Sequence, residues 1–154
     1  MSRRLFSLLS LMTILVVLTG CGVSASSKNA QLAFEAQMDV DSDQRFHVSL
    51  GVRNMGEARF REYENFRGKM ELRDDAGAEI GRISVATLWE LAPGNAGWPA
   101  SYASNLSAGA YQLTWGSPDY GSVTIDFTLI ERDGQIYLSE ESVQSTSEAV
   151  SMKK

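Results

Sequence analysis

Hydrophobic and polar residues alternate along most of the chain, which is the period of a β-strand with one buried face. The clearest case is segment 46–53, where Phe46, Val48, Leu50 and Val52 are separated by polar or small residues. The same alternation recurs in segments 32–38, 66–73, 111–115 and 123–129. Turn-forming residues follow several of these segments, so the pattern predicts a series of strands joined by short turns.

Two of the turns carry hairpin signals. Residues 74–77, Asp-Asp-Ala-Gly, separate two predicted strands, and Asp133-Gly134 comes just before Ile136 and Leu138. We count seven or eight strands and no convincing helical stretch. Clean alternation is typical of antiparallel sheets with one solvated face each. The sequence therefore predicts an all-β antiparallel sandwich of seven or eight strands.

A late strand begins with a distinctive sequence. Residues 106–111 read Leu-Ser-Ala-Gly-Ala-Tyr, so Tyr111 comes two residues after a glycine and five after a leucine. This resembles the tyrosine corner of immunoglobulin-like and fibronectin type III domains, in which the hydroxyl bonds back to the backbone. The resemblance implies an immunoglobulin-like β-sandwich. The chain has one cysteine, so it lacks the disulfide of antibody domains.

The first twenty-one residues have a composition of their own. Arg3 and Arg4 precede an apolar run from residue 5 to residue 18, and two small residues come before Cys21. This order is typical of a secretory signal peptide, and the run is shorter than the ~20 residues of a membrane-spanning helix. Residues 18–21, Leu-Thr-Gly-Cys, resemble the lipobox of bacterial lipoproteins. The alternative is an ordinary signal peptide with an incidental cysteine.

The lipobox resemblance implies cleavage before Cys21 and a diacylglycerol on its thiol. The chain then divides into a signal peptide, a lipidated cysteine with a flexible tether, a sandwich domain and a polar tail that we expect to be disordered. The boundaries are 1–20, 21–30, 31–139 and 140–154. Gly22 follows the cysteine where the family's inner-membrane proteins usually have Asp. This implies the outer membrane, on its periplasmic or surface face, or the outer leaflet of a single cell membrane.

The charge narrows the range of partners. The full chain carries a formal charge of -5, and removing residues 1–20 takes away two arginines and no acid, which leaves -7. A charge of that sign argues against nucleic acid and against an anionic bilayer as the main partner. We expect attachment to the membrane through the lipid on Cys21, with an envelope protein or glycan as the binding partner.

A basic cluster stands out in this acidic chain. It consists of Arg59, Arg61, Arg67, Lys69 and Arg73. Acidic residues are interleaved with these cations, which favours cross-strand ion pairs. Binding of an anionic polymer or a carboxylate by a wet sheet face is the alternative.

The sequence offers few groups for catalysis. His47 is the only histidine, and the alternation places it on the outward face of its strand, away from the loop ends where sandwich pockets usually form. A Ser-His-Asp triad would have to use it, because such a triad needs the histidine as its base. One histidine and one lipidated cysteine make no zinc site. We therefore expect no catalytic residue and no cofactor.

An acidic turn resembles part of a calcium loop. Asp39, Asp41 and Asp43 have the spacing of its first ligands. An EF-hand also needs Gly at the sixth position and Glu at the twelfth. Gln44 and Leu50 occupy those positions, so the motif fails. We expect a solvated turn and no metal, with a looser calcium site as the alternative.

Aromatic residues mark the candidate binding surface. Segment 89–105 is long and contains Trp89, Trp98 and Tyr102, and the turn at 116–121 contains Tyr120. Long loops on a rigid scaffold often carry function, and Trp and Tyr are typical binding anchors. We predict binding roles for Trp98, Tyr102 and Tyr120, with a place in the core as the alternative. For Trp89 we favour the core.

A second resemblance covers about a third of the chain. Residues 91–94, Leu-Ala-Pro-Gly, a following extended segment and residues 106–111 are similar to the second half of BsuPI-type proteinase inhibitors. The resemblance implies a small immunoglobulin-like domain, and it carries over no inhibitory residue. The leading hypothesis is a non-catalytic envelope module that binds a protein or glycan. The alternatives are a proteinase inhibitor and, third, a small envelope hydrolase that uses His47.

Overall fold

The computed structural model describes residues 32–61, 66–146 and 150–152, the last three by their backbone alone. The regular secondary structure of these ranges consists of β-strands and one short 3₁₀ turn, Glu140–Ser142. The strands are β1 (Leu32–Val40), β2 (Phe46–Asn54), β3 (Gly68–Asp74), β4 (Glu79–Val85), β5 (Ala96–Ser104), β6 (Gly109–Ser117), β7 (Gly121–Arg132), β8 (Gln135–Leu138), β9 (Gln144–Ser145) and β10 (Val150–Met152).

The strands form two sheets. The smaller sheet has the order β10-β1-β2-β5, and the larger has the order β4-β3-β6-β7-β8, with β9 also paired to β7. All pairs are antiparallel except β1 with β10. The predicted all-β sandwich is confirmed. The order β1-β2-β5 facing β3-β6-β7 is that of strands A-B-E and C-F-G in an immunoglobulin-like sandwich.

The core lies between the sheets and follows the alternation in the sequence. Inward residues of β2 such as Val48 and Leu50 are at most 1 % exposed. Trp115 on β6 lies at the centre, fully buried, and Phe34 meets it edge-on with ring centroids 5.5 Å apart. The Trp115 Nε1–H donates to the carbonyl oxygen of Gly51 at 2.8 Å, so one buried side chain links the two sheets.

Tyr111 forms the corner predicted for it. Its hydroxyl donates to the carbonyl oxygen of Ser107 at 2.8 Å, and its ring stacks on Phe127 with centroids 5.6 Å apart. The bond joins the start of β6 to the connection that arrives from β5 in the other sheet. It therefore stabilises the point where the chain crosses between the sheets.

Residues 140–146 differ from the disordered tail expected from composition. The Ser142 hydroxyl accepts the backbone N–H of Thr128 at 2.8 Å, and β9 continues along β7. The backbone of Val150–Met152 pairs with β1 at the edge of the smaller sheet. Sheet edges present unpaired backbone donors and acceptors with which a polar segment can pair. Val143 also packs against the core, so one apolar contact helps to hold residues 140–146 in place.

Residues 1–31 lie outside the described part of the chain. They include the predicted signal peptide, Cys21 and the tether, which all stay predictions from sequence. Within the ranges that the structure does describe, no helix is both long enough and apolar enough to cross a membrane.

Candidate functional site

Among the side chains that the structure describes, the outer face of the smaller sheet holds one large aromatic residue, Trp98 on β5. A Cβ placed on Gly51 would lie 2.8 Å from Cζ3 of this indole, 2.9 Å from Cε3 and 3.0 Å from Cη2. Three adjacent ring atoms at nearly equal distances mean that the ring meets Gly51 with its face. Trp98 is 36 % exposed, so its opposite face is open to solvent. We call this surface the Trp98 platform.

A β-bulge places the indole there. Leu50 pairs with Ala100 and Val52 pairs with Gly97, so the two residues between them on β5, Trp98 and Pro99, share the space opposite Gly51. Bulges bend a strand and re-aim its side chains. Pro99 is tolerated because β5 lies at the edge of its sheet, where a missing N–H costs little.

An ion pair lies beside the platform. Glu35 is the cross-strand partner of Gly51 and is 8 % exposed. The Arg53 guanidinium donates to both Glu35 carboxylate oxygens, through Nε and through Nη2 at 3.1 Å, and its Nη1 donates to the Gly94 carbonyl at 2.9 Å. The hydrogen bonds to Glu35 raise the pKa of Arg53. The platform is therefore flanked by a cation whose orientation is fixed.

Sequence reasoning missed Gly51, Glu35 and Arg53 as parts of this site. A glycine inside a strand often marks the close approach of another group, so Gly51 carried a usable signal. The pairing of Glu35 with Arg53 depends on the register between β1 and β2, which alternation alone does not fix to one residue. The platform, its support at Gly51 and the ion pair beside it thus combine one predicted residue, Trp98, with three that sequence reasoning did not select.

Tyr102 belongs to a different surface from Trp98. It pairs with the buried Val48, so its side chain lies on the inner side of β5. Its ring covers Gly81 on β4, and its hydroxyl is 3.5 Å from the Ile80 carbonyl oxygen. Tyr102 therefore bridges the edges of the two sheets, and the structure does not bring it to the platform.

Tyr120 is buried, so the expectation of an exposed tyrosine in the turn at 116–121 is wrong. It is 6 % exposed and meets Phe60 edge-on with ring centroids 5.5 Å apart. Its ring also stacks on Phe66 at 6.4 Å. The two phenylalanines come from a distant part of the chain, and they turn a residue of a polar turn into part of the core.

Trp89 was expected in the core, but it lies at the surface. The core interpretation is wrong, since this side chain is 56 % exposed. Its Nε1 lies against Gly97, where an added Cβ would be 2.8 Å away. The neighbouring Leu88 and Leu91 are 1 % and 3 % exposed, so they fill the core position that Trp89 was expected to take.

The acidic turn between β1 and β2 is held by its own carboxylate. Asp41 Oδ1 accepts the backbone N–H groups of Asp43 and Arg45, both at 2.9 Å. Its Oδ2 lies 3.2 Å from the Arg45 guanidinium and 2.9 Å from Nε2 of His47. Hydrogen bonding, chiefly from the Arg45 backbone, lowers the pKa of Asp41. This carboxylate organises the turn.

Metal and triad chemistry gain no support from this turn. Within the described ranges, no group of three or more His, Cys, Asp or Glu side chains is placed to hold a metal ion. Asp41 and His47 are two of the three residue types of a hydrolytic triad. Because Arg45 and two backbone N–H groups engage the carboxylate, the contact with His47 is one of several that hold the turn together.

We expect the stabilising effect of Asp41 to depend on pH, because folding lowers its pKa below the ordinary value of 3.8. Such a carboxylate stabilises the fold above its unfolded pKa and loses that effect as the pH falls through its folded pKa. The free energy of unfolding lost in Asp41→Asn should therefore be constant near neutrality and shrink below about pH 4. Urea unfolding at several pH values measures it.

The matched control for this prediction is Asp43→Asn. The Asp43 side chain is 76 % exposed and only approaches Arg45 at 3.9 Å. Asp43→Asn should therefore change the free energy of unfolding only slightly at every pH, since exposed ion pairs contribute little. A loss in Asp41→Asn that stays the same between about pH 7 and about pH 3 would contradict the role given to this carboxylate.

Cations of the basic cluster do contact acids, but the ion pairs on β3 run along one strand and not across strands as expected. On β3, Glu71 contacts both Lys69 and Arg73, and hydrogen bonds from Lys69 first and Arg73 second lower its pKa. These contacts engage Lys69 and Arg73, the two cations of the cluster that lie on β3. Further contacts of the cluster are Arg59 Nη1 to Glu90 Oε1 at 3.0 Å, Arg61 Nε to Glu90 Oε1 at 3.8 Å and Arg67 Nη1 to the Ala86 carbonyl at 3.2 Å.

Comparison with known proteins adds no relative to this picture. No protein-family model matches the chain, and no curated protein is similar to it in sequence.

Proposed function

We propose that the chain is a membrane-anchored lipoprotein of the bacterial cell envelope whose sandwich binds an envelope protein or glycan without catalysing a reaction. The lipid is on Cys21, and the Trp98 platform is the binding surface. The observation that carries the proposal is the indole of Trp98, which lies face-on against Gly51 with its other face open to solvent.

A tryptophan held in this way suits recognition. Aromatic anchors supply much of the free energy of many interfaces, because they bury a large apolar area. Contact with Gly51 already restricts the indole, so little conformational freedom remains to be lost on binding. Arg53 is likewise fixed by Glu35 and by the Gly94 carbonyl. The platform thus presents a flat apolar face beside an oriented cation.

Replacing Trp98 tests this proposal. Loss of an anchoring aromatic costs roughly 2 kcal/mol, so Trp98→Ala should weaken binding about 30-fold. We would measure the binding of the purified protein to two separate envelope fractions, cell-wall glycan and membrane protein. Ser101→Ala is the matched control, since Ser101 is exposed on the same strand and faces Ser49 on β2. Equal binding of parent and Trp98→Ala to both fractions would contradict the proposal.

Gly51→Ala probes the same platform while leaving Trp98 in the chain. The new methyl group would lie 2.8 Å from the indole, which is too close, so the ring must move off the sheet. Binding should then fall about as far as in Trp98→Ala, while tryptophan emission shifts toward that of a more solvated indole. Circular dichroism would verify that the sandwich remains folded.

A further inference from the structure

The two ends of the sandwich are made of different chain segments. β1 begins at Leu32, which pairs with Asn54, the last residue of β2. The Asn54 N–H donates to the Asn95 carbonyl at 2.9 Å, so segments 55–60 and 88–95 lie at this end too. We call it the proximal end because the chain arrives there from Cys21. The distal end carries the turns after β1, β3 and β7.

The proximal end exposes apolar side chains. Met55 is 63 % exposed and Trp89 is 56 % exposed, the two highest values among the large hydrophobic side chains that the structure describes. Nearby, the side chains of Arg59 and Arg61 are 58 % and 73 % exposed and approach the half-exposed Glu90. Tryptophan with flanking long cations is the composition that favours the boundary between lipid headgroups and acyl chains.

The negative charge lies mainly at the other end. The distal segments 39–43, 74–79 and 131–133 contain eight acidic residues, and the nearby cations are Arg45, Arg73, Arg82 and Arg132. The proximal segments 53–61, 86–95 and 117–121 contain three acids and three cations. A membrane with anionic lipids therefore repels the distal end more strongly than the proximal one.

We propose that the proximal end rests on the phospholipid surface of the membrane that carries the Cys21 anchor, with Trp89 and Met55 in the lipid interface. This inference rests on the lipid anchor of the proposed function. It adds an orientation, in which the acidic distal end points away from the membrane and the Trp98 platform stands on the side of the domain.

The length of the tether supports the phospholipid surface as the partner of the proximal end. Ten residues separate Cys21 from Leu32. A chain of that length extends to at most about 40 Å and has a root-mean-square span of roughly 20 Å. The proximal end is therefore the end of the domain that the tether holds nearer to the bilayer, while the distal end lies about 30 Å farther along the nine-residue strand β1. Tethering raises the effective lipid concentration, so two apolar side chains suffice for a contact.

The test uses quenching of tryptophan fluorescence by brominated phospholipids. The lipoprotein purified from membranes is reconstituted into vesicles of mixed zwitterionic and anionic lipids with brominated acyl chains. The chain has three tryptophans, and Trp115 is fully buried, so Trp89→Phe and Trp98→Phe form a matched pair. We expect quenching in the parent and in Trp98→Phe, and at least about a twofold decrease of that quenching in Trp89→Phe.

The outcomes separate this inference from the anchor on which it rests. Sedimentation of the parent with vesicles, and its loss in Cys21→Ser, reports the anchor. If the parent sediments but is not quenched, or if both variants are quenched equally, the proposed contact is overturned while the anchor stands. A Trp89 emission that shifts only when envelope proteins are added would assign the proximal end to a protein partner and would also overturn it. A parent that does not sediment overturns both.

Discussion

Trp115→Ala is expected to lower the free energy of unfolding by about 4 kcal/mol, as large-to-small changes of buried aromatic residues do. Trp115 is fully buried between Phe34 and Phe66, at ring distances of 5.5 and 6.4 Å. The change leaves a cavity at the centre of the sandwich. It also removes the N–H that donates to the Gly51 carbonyl. A loss of this size is a large part of the 5–15 kcal/mol typical of a domain.

Urea unfolding followed by circular dichroism measures this loss. Trp89→Ala is the control, because it removes the same side-chain type from a position that is 56 % exposed. It should cost no more than about 1 kcal/mol, since surface substitutions rarely cost more. Similar losses in the two variants would show that Trp115 is not the centre of the core.

The same residue connects the core to the proposed binding surface. Trp115 bonds to the backbone of Gly51 from the core side, and Trp98 covers Gly51 from the outer side. The backbone of β2 at this point is therefore fixed between two indoles. Because a rigid support keeps an anchor oriented, we expect the platform to depend on a well-packed core.

The strands were predictable because each buries one face. In β2 and β7 the apolar residues occur at every second position, and the structure buries those positions. The corner at Tyr111 was predictable because its spacing from Leu106 and Gly109 is local in sequence. Local signals of this kind survive folding when tertiary contacts agree with them.

The exposure of individual aromatic residues was not predictable in the same way. Tyr120 is buried by Phe60 and Phe66, and Trp89 is left outside because Leu88 and Leu91 take the core positions. These contacts join segments far apart in the chain. No short-range pattern specifies these contacts. Tyr120 is therefore buried although it lies in a turn, and Trp89 is exposed although it was expected in the core.

The face on which Trp98 lies depends on a single extra residue. Without the bulge opposite Gly51, Trp98 would pair with Val52 and point into the core, since the side of a strand changes with each residue. The sequence holds a hint in Pro99, which favours an edge strand, and in Gly51, which leaves space on the sheet. Neither residue alone determines the register.

Cys21→Ser is expected to release the whole protein from the membrane fraction. The lipobox-like residues 18–21 imply a thiol that receives a diacylglycerol and a new amino terminus that is acylated in some members. Two or three acyl chains hold a protein stably on a bilayer, whereas one gives only marginal binding. Serine has no thiol for the lipid, and the proximal contact alone is too small to replace it. Fractionation followed by immunoblotting would show the change.

The most direct test of the account is the intact mass of the protein extracted from membranes, compared with that of Cys21→Ser. We predict a chain that begins at Cys21 and carries the added mass of a diacylglyceryl group, with or without an amide-linked acyl chain, and the loss of that added mass in the variant. An unmodified chain in the soluble fraction of the parent would contradict the central claim that this sandwich is anchored to the envelope by a lipid.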